Sequence, residues 1–304
     1  MPLHAQVQAA IAKREASVGV APPDATLEVH RERFMKTWRE PGPDIYSVED
    51  HSIPGPSGPL AIRLYRASDG DSLPVLMSFH GGGFVFGGID AYDGNAKRLA
   101  AGADCCVVTV EYRLAPEHKF PAAPEDCFAA TKWIADNAAD LGLDEARIAV
   151  GGDSAGANLS AVVAMMSRDR SGPSLVQQIL MVPTMHPDPD LDIEYPEGTP
   201  PSGREWWWSQ YLADPADAAN PYAAPLSASD LSGLPPALVI TAEYDDLRGE
   251  GQAYAEQLAA AGIATEYRSY EGMWHIFHMY PSSIDSGREA VESEIAALRA
   301  AFYE

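Results

Sequence analysis

The sequence has few basic residues for its length. Its 304 residues include 21 Lys and Arg against 44 Asp and Glu, which gives a formal net charge of −23 at pH 7. A chain with this charge repels nucleic-acid phosphates and anionic lipid surfaces. Nucleic acid is therefore excluded as a partner and a neutral or apolar substrate is favoured, while a saline habitat as the origin of the acidic surplus is left open.

Cysteine and long hydrophobic runs are also scarce. The three cysteines are Cys105 and Cys106, adjacent in the apolar run CCVVTV, and Cys127, a set that fits neither a disulfide framework nor a zinc site. They are predicted to be small buried hydrophobic residues. No segment approaches the roughly 18 apolar residues of a membrane span, and the start lacks the pattern of a secretion signal. We expect a cytoplasmic protein without integral membrane association.

Short apolar runs alternate with stretches of helical periodicity. The runs predicted to be strands are 74–79, 105–110, 147–152, 178–183 and 237–241. The stretches predicted to be helices are 95–103, 124–142, 155–169 and 249–263. This alternation predicts an α/β fold with a mostly parallel sheet covered by helices on both faces. Functional groups of such sheets collect at the carboxyl ends of the strands.

Two regions interrupt the alternation. Residues 1–45 mix helical and proline-rich sequence, and residues 184–225 are dense in Pro and Asp and contain three consecutive tryptophans. An insertion of about forty residues between core strands usually serves function. The predicted division is an N-terminal cap segment (1–46), a core in two parts (47–184 and 223–304) and a cap insertion (185–222).

The strongest motif is Gly152-Asp153-Ser154-Ala155-Gly156, which lies between an apolar strand and a helical stretch. Glycines on both sides permit the sharp turn of a nucleophile elbow, which exposes the serine hydroxyl. The helix that follows directs its free N–H groups toward the serine, and the N–H of Ala155 can donate to an oxyanion.

A second motif, His80-Gly81-Gly82-Gly83-Phe84, follows the strand at 74–79. Its glycines allow the backbone to approach a substrate, so the N–H groups of Gly82 and Gly83 can complete an oxyanion hole. A phosphate-binding loop is disfavoured because the Lys-Ser/Thr pair of a P-loop is missing. His80 is predicted to be a structural histidine that hydrogen-bonds this loop.

An acid and a base follow the serine along the chain. Asp245 and Asp246 come after the strand at 237–241, and the segment EGMWHIFHMY carries His275 and His278 after a further predicted strand. The order Ser, Asp, His is that of the α/β-hydrolases. In such a triad the histidine removes the serine proton and the aspartate orients the imidazole.

The motifs HGGGF, EYRLAPEHKFPAAPED, GGDSAGANL and YEGMWHIF resemble the hormone-sensitive-lipase family of bacterial α/β-hydrolase carboxylesterases. The resemblance runs from about residue 47 to the end and implies an α/β-hydrolase fold with a helical cap. It implies a triad and an oxyanion hole at the following residues: Ser154 as nucleophile, Asp245 as acid, His275 as base, and Gly82, Gly83 and Ala155 as oxyanion donors. His278 has no role in this scheme.

The chain departs from the family pattern at three positions. Asp246 replaces a proline, Gly249 replaces an aspartate, and Ile276 replaces the glycine that usually follows the catalytic histidine. The first two make the choice of acid less secure, and for Ile276 a narrower pocket and a shifted histidine loop are left as alternatives, neither of which removes the base. Residues predicted to contact substrate are Phe84, Trp206, Trp207 and Ile276. For the tryptophans, pocket lining and cap packing are left as alternatives.

Two weaker signals are set aside. Asp188, Asp190 and Asp192 resemble the start of a calcium loop, but Ile193 and Thr199 stand where that loop needs glycine and glutamate. The sequon at Asn158 lies on the elbow helix and is expected to be idle. No metal and no cofactor is expected.

The sequence therefore predicts a serine carboxylesterase that hydrolyses short- to medium-chain or small apolar esters through an acyl-enzyme. A lactone hydrolase or an arylformamidase-type amide hydrolase would use the same triad. A non-catalytic ligand-binding protein is the remote alternative, because such a protein should have lost a triad member. The oligomeric state is left open, with a homodimer as one candidate assembly.

Overall fold

An eight-stranded β-sheet forms the centre of the protein. The computed structural model describes residues 3–19, 21–22, 24–189, 191 and 194–304. The strands are β1 (Ser47–Gly55), β2 (Gly58–Arg66), β3 (Leu73–Phe79), β4 (Cys106–Val110), β5 (Leu143–Asp153), β6 (Leu175–Met181), β7 (Ala237–Tyr244) and β8 (Thr265–Trp274). They pair in the order β1-β2-β4-β3-β5-β6-β7-β8. The pairs β1–β2 and β2–β4 are antiparallel and all later pairs are parallel.

Helices cover both faces of this sheet. The helices in the described ranges are α1 (Ala5–Val18), α2 (Leu27–Lys36), α3 (Ile89–Ala103), α4 (Ala122–Asp136), α5 (Ala155–Asp169), α6 (Arg204–Tyr211), α7 (Arg248–Ala260) and α8 (Asp285–Tyr303). One apolar cluster joins α4, α5 and α7 to the sheet, and a second joins α1, α3 and α8 to it. Along β3, Val75 and Met77 belong to the first cluster and Leu76 to the second, as the alternation of side chains in a strand requires.

The burial of the central strands explains why they were visible in the sequence. Every residue of β3 and of β4 is buried, so each strand is a continuous apolar run. The five strands predicted from such runs are confirmed as β3 to β7, and the strand predicted before His275 is confirmed as β8. The three cysteines are buried and free, as predicted.

The first hairpin and the last helix were not predicted. Strand β1 lies at the edge of the sheet and is largely exposed, so its sequence carries no apolar run. Helix α8 is amphipathic and packs against α3, with Ala290, Val291 and Leu298 buried. Within the described ranges, no helix is long and apolar enough to cross a membrane.

Candidate active site

Ser154 lies at a sharp turn between β5 and α5. Its backbone has φ 54° and ψ −117°, a conformation that non-glycine residues rarely adopt. The Ser154 N–H donates to the Met181 carbonyl at 2.9 Å, and the Ser154 carbonyl accepts from the Asn158 N–H at 3.1 Å. A Cβ at Gly156 would collide with the Phe79 carbonyl, so glycine is required where α5 crosses β3. The turn has the geometry expected of a nucleophile elbow.

The glycine loop after β3 lies beside this turn. Gly82 and Gly83 have φ angles of 121° and 61°, and Phe84 follows with a φ of 64°. A Cβ at Gly83 would collide with the indole ring of Trp207, so the cap insertion packs directly on the loop. His80 supports the loop from below, because its Nδ1 lies 2.8 Å from the Gly81 carbonyl and its ring stacks on Tyr112. Burial lowers the pKa of His80 to about 4.

Asp245 and His275 form a hydrogen-bonded pair at the ends of β7 and β8. The Nδ1 atom of His275 lies 2.7 Å from Oδ2 of Asp245, and Oδ1 of Asp245 accepts from the Leu247 N–H at 3.0 Å. The carboxylate is buried, whereas the imidazole is 29 % exposed. Burial lowers the pKa of His275, but the charge and hydrogen bond of Asp245 raise it, and the net pKa lies above its usual value. The pair is arranged as an acid–base couple with Nε2 of the imidazole left for a reacting group.

These groups share the wall of one cavity of about 350 Å³. The predicted site residues that line it are Gly82, Gly83, Phe84, Ser154, Trp207, Asp245, His275 and Ile276. Ala155 is buried beside Ser154 as the first residue of α5, where a backbone N–H has no partner inside the helix. A cavity of this volume matches the size of small-molecule sites.

Comparisons with known proteins show the family to which the chain belongs. A family model described as an alpha/beta hydrolase fold matches residues 76–279. The chain belongs to the α/β-hydrolase family. It is 42% identical over 289 residues to a carboxylesterase of Mycobacterium tuberculosis, NlhH, covering 91% of this chain and 90% of that protein.

Two solved structures share the whole fold. A hyperthermophilic esterase from the archaeon Pyrobaculum calidifontis has a TM-score of 0.89 and 40% identity, with 99% of each chain covered. The ester hydrolase EH1AB1 from the Lake Arreo metagenome, solved with a derivative of bipyridine phosphonate, has a TM-score of 0.90 and 35% identity, covering 99% of this chain and 100% of that one. These comparisons confirm the predicted family, the fold and the enzyme class, a carboxylic ester hydrolase.

The tryptophans of this hydrolase divide between the two roles left open above. Trp207 faces the cavity, and its Nε1 donates to the Ser202 carbonyl at 2.8 Å. Trp208 also lies on the cavity wall, although the sequence did not select it. Trp206 is 45 % exposed and lies outside the wall, against the prediction that it contacts substrate. A helix turns by about 100° per residue, so three consecutive side chains cannot face one cavity.

Asp153 is a site residue that the sequence analysis missed as such. It lines the cavity, and its carboxylate accepts from the Gly81 N–H at 3.1 Å and from the Tyr92 hydroxyl at 3.0 Å. Burial raises the pKa of Asp153 to about 6. Asp153 joins the elbow to the glycine loop. Its position inside the elbow motif, directly before Ser154, was the sequence signal that could have identified it as a site residue.

Two acidic residues, one in the loop that carries Asp245 and one in α7, connect the cap insertion to the core. Oδ2 of Asp246 accepts from the Ser202 N–H at 2.8 Å, and its carbonyl accepts from the Arg204 guanidinium at 2.6 Å. The fully buried Glu250 forms an ion pair with Arg204 at 2.9 Å and accepts from the His186 N–H at 2.9 Å. Burial raises the pKa of Glu250 to about 7. Asp246, a departure from the family pattern, therefore serves to attach the cap.

The second histidine of EGMWHIFHMY is placed differently from the first. His278 is buried in a short 3₁₀ turn behind His275, and it does not line the cavity. Burial lowers the pKa of His278 to about 3, so the ring is neutral at ordinary pH. It packs edge-on against Phe277. The structure gives His278 the position of a packing residue.

The structure gives no support to the two weaker sequence signals, the glycosylation sequon and the calcium-like loop, in the residues that it describes. Asn158 is buried, and its Nδ2 donates to the carbonyls of Thr184 and Ala223 at 3.0 and 3.1 Å, so the sequon is inaccessible. Asp190 and Asp192 of the calcium-like stretch lie outside the described residues. Among the residues that are described, no group of three His, Cys, Asp or Glu side chains is placed to hold a metal ion.

Proposed function

We propose that Ser154, His275 and Asp245 are the catalytic triad of a serine carboxylesterase. The observation that carries the proposal is the convergence of three features on one cavity: the strained elbow at Ser154, the 2.7 Å pair between His275 and Asp245, and the glycine loop. Each feature occurs singly in other proteins. Together they supply the nucleophile, the base, its orienting acid and the oxyanion donors of acyl transfer.

The reaction follows from these positions. The Ser154 hydroxyl attacks the ester carbonyl carbon while Nε2 of His275 takes its proton. The oxyanion accepts hydrogen bonds from the N–H groups of Gly82, Gly83 and Ala155. When the tetrahedral intermediate collapses, His275 returns the proton to the leaving alcohol. Water then attacks the acyl-enzyme with His275 again as base, which releases the acid and restores Ser154.

The cavity supports esters of short to medium acyl chain or other small esters as substrates. Its volume of about 350 Å³ accommodates a small molecule, and aromatic residues (Phe84, Trp207 and Trp208) form part of its wall. Ile276 also lies on the wall, beside the proposed base. The predicted division into a core and a two-part cap is retained, because the N-terminal segment and the insertion both contribute to the cavity wall. A cytoplasmic location and a homodimer stay predictions.

Covalent labelling tests the nucleophile. A phosphonate ester should add to Ser154 in the wild-type protein and should not add to Ser154→Ala, as mass spectrometry of the labelled peptide would show. The related ester hydrolase EH1AB1 was solved with a phosphonate derivative, which supports this choice of probe. A folded protein that hydrolyses esters and yet carries no adduct would contradict the serine mechanism.

Lactones and N-formylaryl amides are the alternative substrates. They react through the same triad, so the geometry of the catalytic groups does not separate them from linear esters. Initial rates on 4-nitrophenyl esters of increasing chain length, on ring lactones and on N-formylanilines would rank the three classes. We expect the highest kcat/KM on linear esters, and a higher value on lactones or formanilides would assign the protein to that class instead.

A further inference from the structure

We propose that Arg14 and Arg39 form an anion-binding subsite in the cavity, and that the substrates of this hydrolase are esters that carry a carboxylate. The inference rests on the proposed esterase function and makes its substrate class more specific. The proposed anionic substrate differs from the neutral or apolar substrate that the net charge of the whole chain favoured. The relevant charge is the local one, because a Debye length of about 8 Å at physiological ionic strength screens the distant surface carboxylates.

Arg39 presents part of its guanidinium to the cavity. Its Nη1 donates to the carbonyls of Phe34 and Thr37, at 2.9 and 3.0 Å, which fixes the side chain against the end of α2. Its Nε and Nη2 make no hydrogen bond within the described ranges, and neither atom is sealed from solvent. Burial lowers the pKa of Arg39, which means that its charge is poorly solvated. The guanidinium also lies over the Phe34 ring, with Cζ 4.8 Å from the ring centroid, a contact that leaves the in-plane donors free for an anionic ligand.

Arg14 adds a second cation to the same wall. It comes from α1, is half-buried, and forms neither an ion pair nor a side-chain hydrogen bond with any residue that the structure describes. Arg14 also borders a second cavity of about 260 Å³, which shares Phe34, Thr37 and Phe86 with the first. The two arginines are close enough that the charge of Arg14 lowers the pKa of Arg39. No described carboxylate forms an ion pair with either arginine, so a bound carboxylate would relieve the repulsion between them.

The acidic residues on the cavity wall accept hydrogen bonds from other partners, although the charge of Asp153 also acts on Arg39 and partly offsets the lowering of its pKa by burial. Asp245 is paired with His275, and Asp153 accepts from Tyr92 and Gly81. Asp246 accepts from Ser202 and, through its carbonyl, from Arg204.

Arg204, the other arginine on the cavity wall, has its charge neutralised by an ion pair. Arg204 forms an ion pair with the buried Glu250 at 2.9 Å. Among the described arginines that line the cavity, Arg14 and Arg39 are therefore the two without a carboxylate partner. In a chain with 44 acidic residues, two such cations in one cavity indicate a ligand that supplies the missing charge.

The chemistry of the pair favours a carboxylate. A guanidinium binds a carboxylate through parallel N–H donors, and a second cation increases the attraction. The ester of such a substrate lies at Ser154 and its free carboxylate at the arginines. Monoesters of dicarboxylic acids carry the charge on the acyl side, and esters of hydroxy acids carry it on the alcohol side.

Two matched pairs of esters test the subsite. The acyl pair is the 4-nitrophenyl monoester of adipic acid against 4-nitrophenyl hexanoate, which has a methyl group in place of the carboxylate. The alcohol pair is 4-acetoxybenzoate against its methyl ester. In Arg39→Gln and Arg14→Gln, kcat/KM for the anionic member of at least one pair should fall about ten- to a hundredfold, the range of a charged hydrogen bond. The neutral member should change less than threefold.

Arg33→Gln is the matched control. Arg33 borders the second cavity but not the first, and it donates to the carbonyls of Val18 and Gly19. Its replacement should leave the ratio of anionic to neutral rates unchanged. If Arg39→Gln perturbs the end of α2, Arg14→Gln still tests the proposal, because the side chain of Arg14 makes no hydrogen bond with a described residue that would be lost.

A binding measurement separates this proposal from the proposed function. Calorimetry with Ser154→Ala should detect adipate binding that weakens about tenfold or more in the Arg14→Gln double variant. Adipate binding in a protein without esterase activity would contradict the proposed function alone. The subsite would be overturned if kcat/KM fell equally for the anionic and the neutral esters, or fell for neither, so that their ratio stayed unchanged in both Arg14→Gln and Arg39→Gln.

Discussion

Glu294 on α8 is expected to make the stability of this hydrolase fall as pH rises. The side chain is 3 % exposed, and its Oε2 has no hydrogen-bond partner within the described residues. Burial raises the pKa of Glu294 from 4.5 to about 8, with a further contribution from the charge of Asp153. The folded protein therefore keeps this carboxyl protonated at neutral pH, whereas the unfolded chain ionises it.

The sign of the effect follows from proton counting. Between pH 4.5 and 8 the unfolded state has lost the Glu294 proton and the folded state has kept it, so rising pH favours unfolding. One pKa unit corresponds to 1.36 kcal/mol, so the interval between the two pKa values costs roughly 4–5 kcal/mol of unfolding free energy at pH 8. This is an upper value, because small rearrangements around a buried charge reduce it.

The substitution Glu294→Gln removes the ionisable group in both states. At pH 8 the variant should exceed the wild type by a few kcal/mol in free energy of unfolding, and at pH 4.5 the two should nearly coincide. Guanidinium chloride denaturation at both pH values, followed by circular dichroism, measures the difference. Glu289→Gln, an exposed glutamate of the same helix, is the control and should show no such dependence. A stability difference for Glu294→Gln that is the same at both pH values would refute the reasoning.

Four further predictions concern the active site and its supports. His275→Ala should abolish turnover, whereas His278→Ala should keep most of the activity per folded molecule, because His278 lies outside the cavity wall; the reverse result would exchange their roles. The acid limb of the pH profile of kcat/KM should have its midpoint above 6.5, because Asp245 raises the pKa of His275, and Asp245→Asn should lower this midpoint as well as the rate; an unchanged midpoint would argue against the pair. Trp207→Ala should raise KM for longer acyl chains, whereas the exposed Trp206→Ala should change it less than twofold; equal effects in steady-state assays would contradict the assignment. Burial raises the pKa of Glu250 to about 7, so Glu250→Gln should gain free energy of unfolding relative to the wild type as pH rises from 4.5 to 7, whereas exposed Glu256→Gln should not; denaturant titration of both variants at the two pH values decides this.

Motif and periodicity were sufficient to predict the core of this protein. Strands β3 to β7 are continuous apolar runs because both of their faces are covered, and α5 follows Ser154 as the elbow motif requires. The sequence also named Ser154, Asp245 and His275, which the structure brings to one cavity; their catalytic roles stay a prediction. These features are local in the chain, so local sequence determines them.

The amphipathic and long-range features needed the tertiary structure. Strand β1 at the sheet edge is largely exposed and has no apolar run to identify it. Trp206 and Trp207 are adjacent in sequence, yet only the placement of α6 on the glycine loop decides which of them faces the cavity. Arg14 and Arg39 lie in a segment without a motif.

The local charge of the cavity was the property that could least be predicted from the sequence. Composition gives a net charge of −23 and favours a neutral substrate. The fold gives the carboxylates of the cavity their own hydrogen-bond partners, and Arg14 and Arg39 on its wall form no ion pair with a described residue. Electrostatic interactions depend on distance and burial, which the order of residues does not contain. The sequence thus determined the sheet, the elbow and the catalytic candidates, and only the tertiary structure decided the local charge of the cavity.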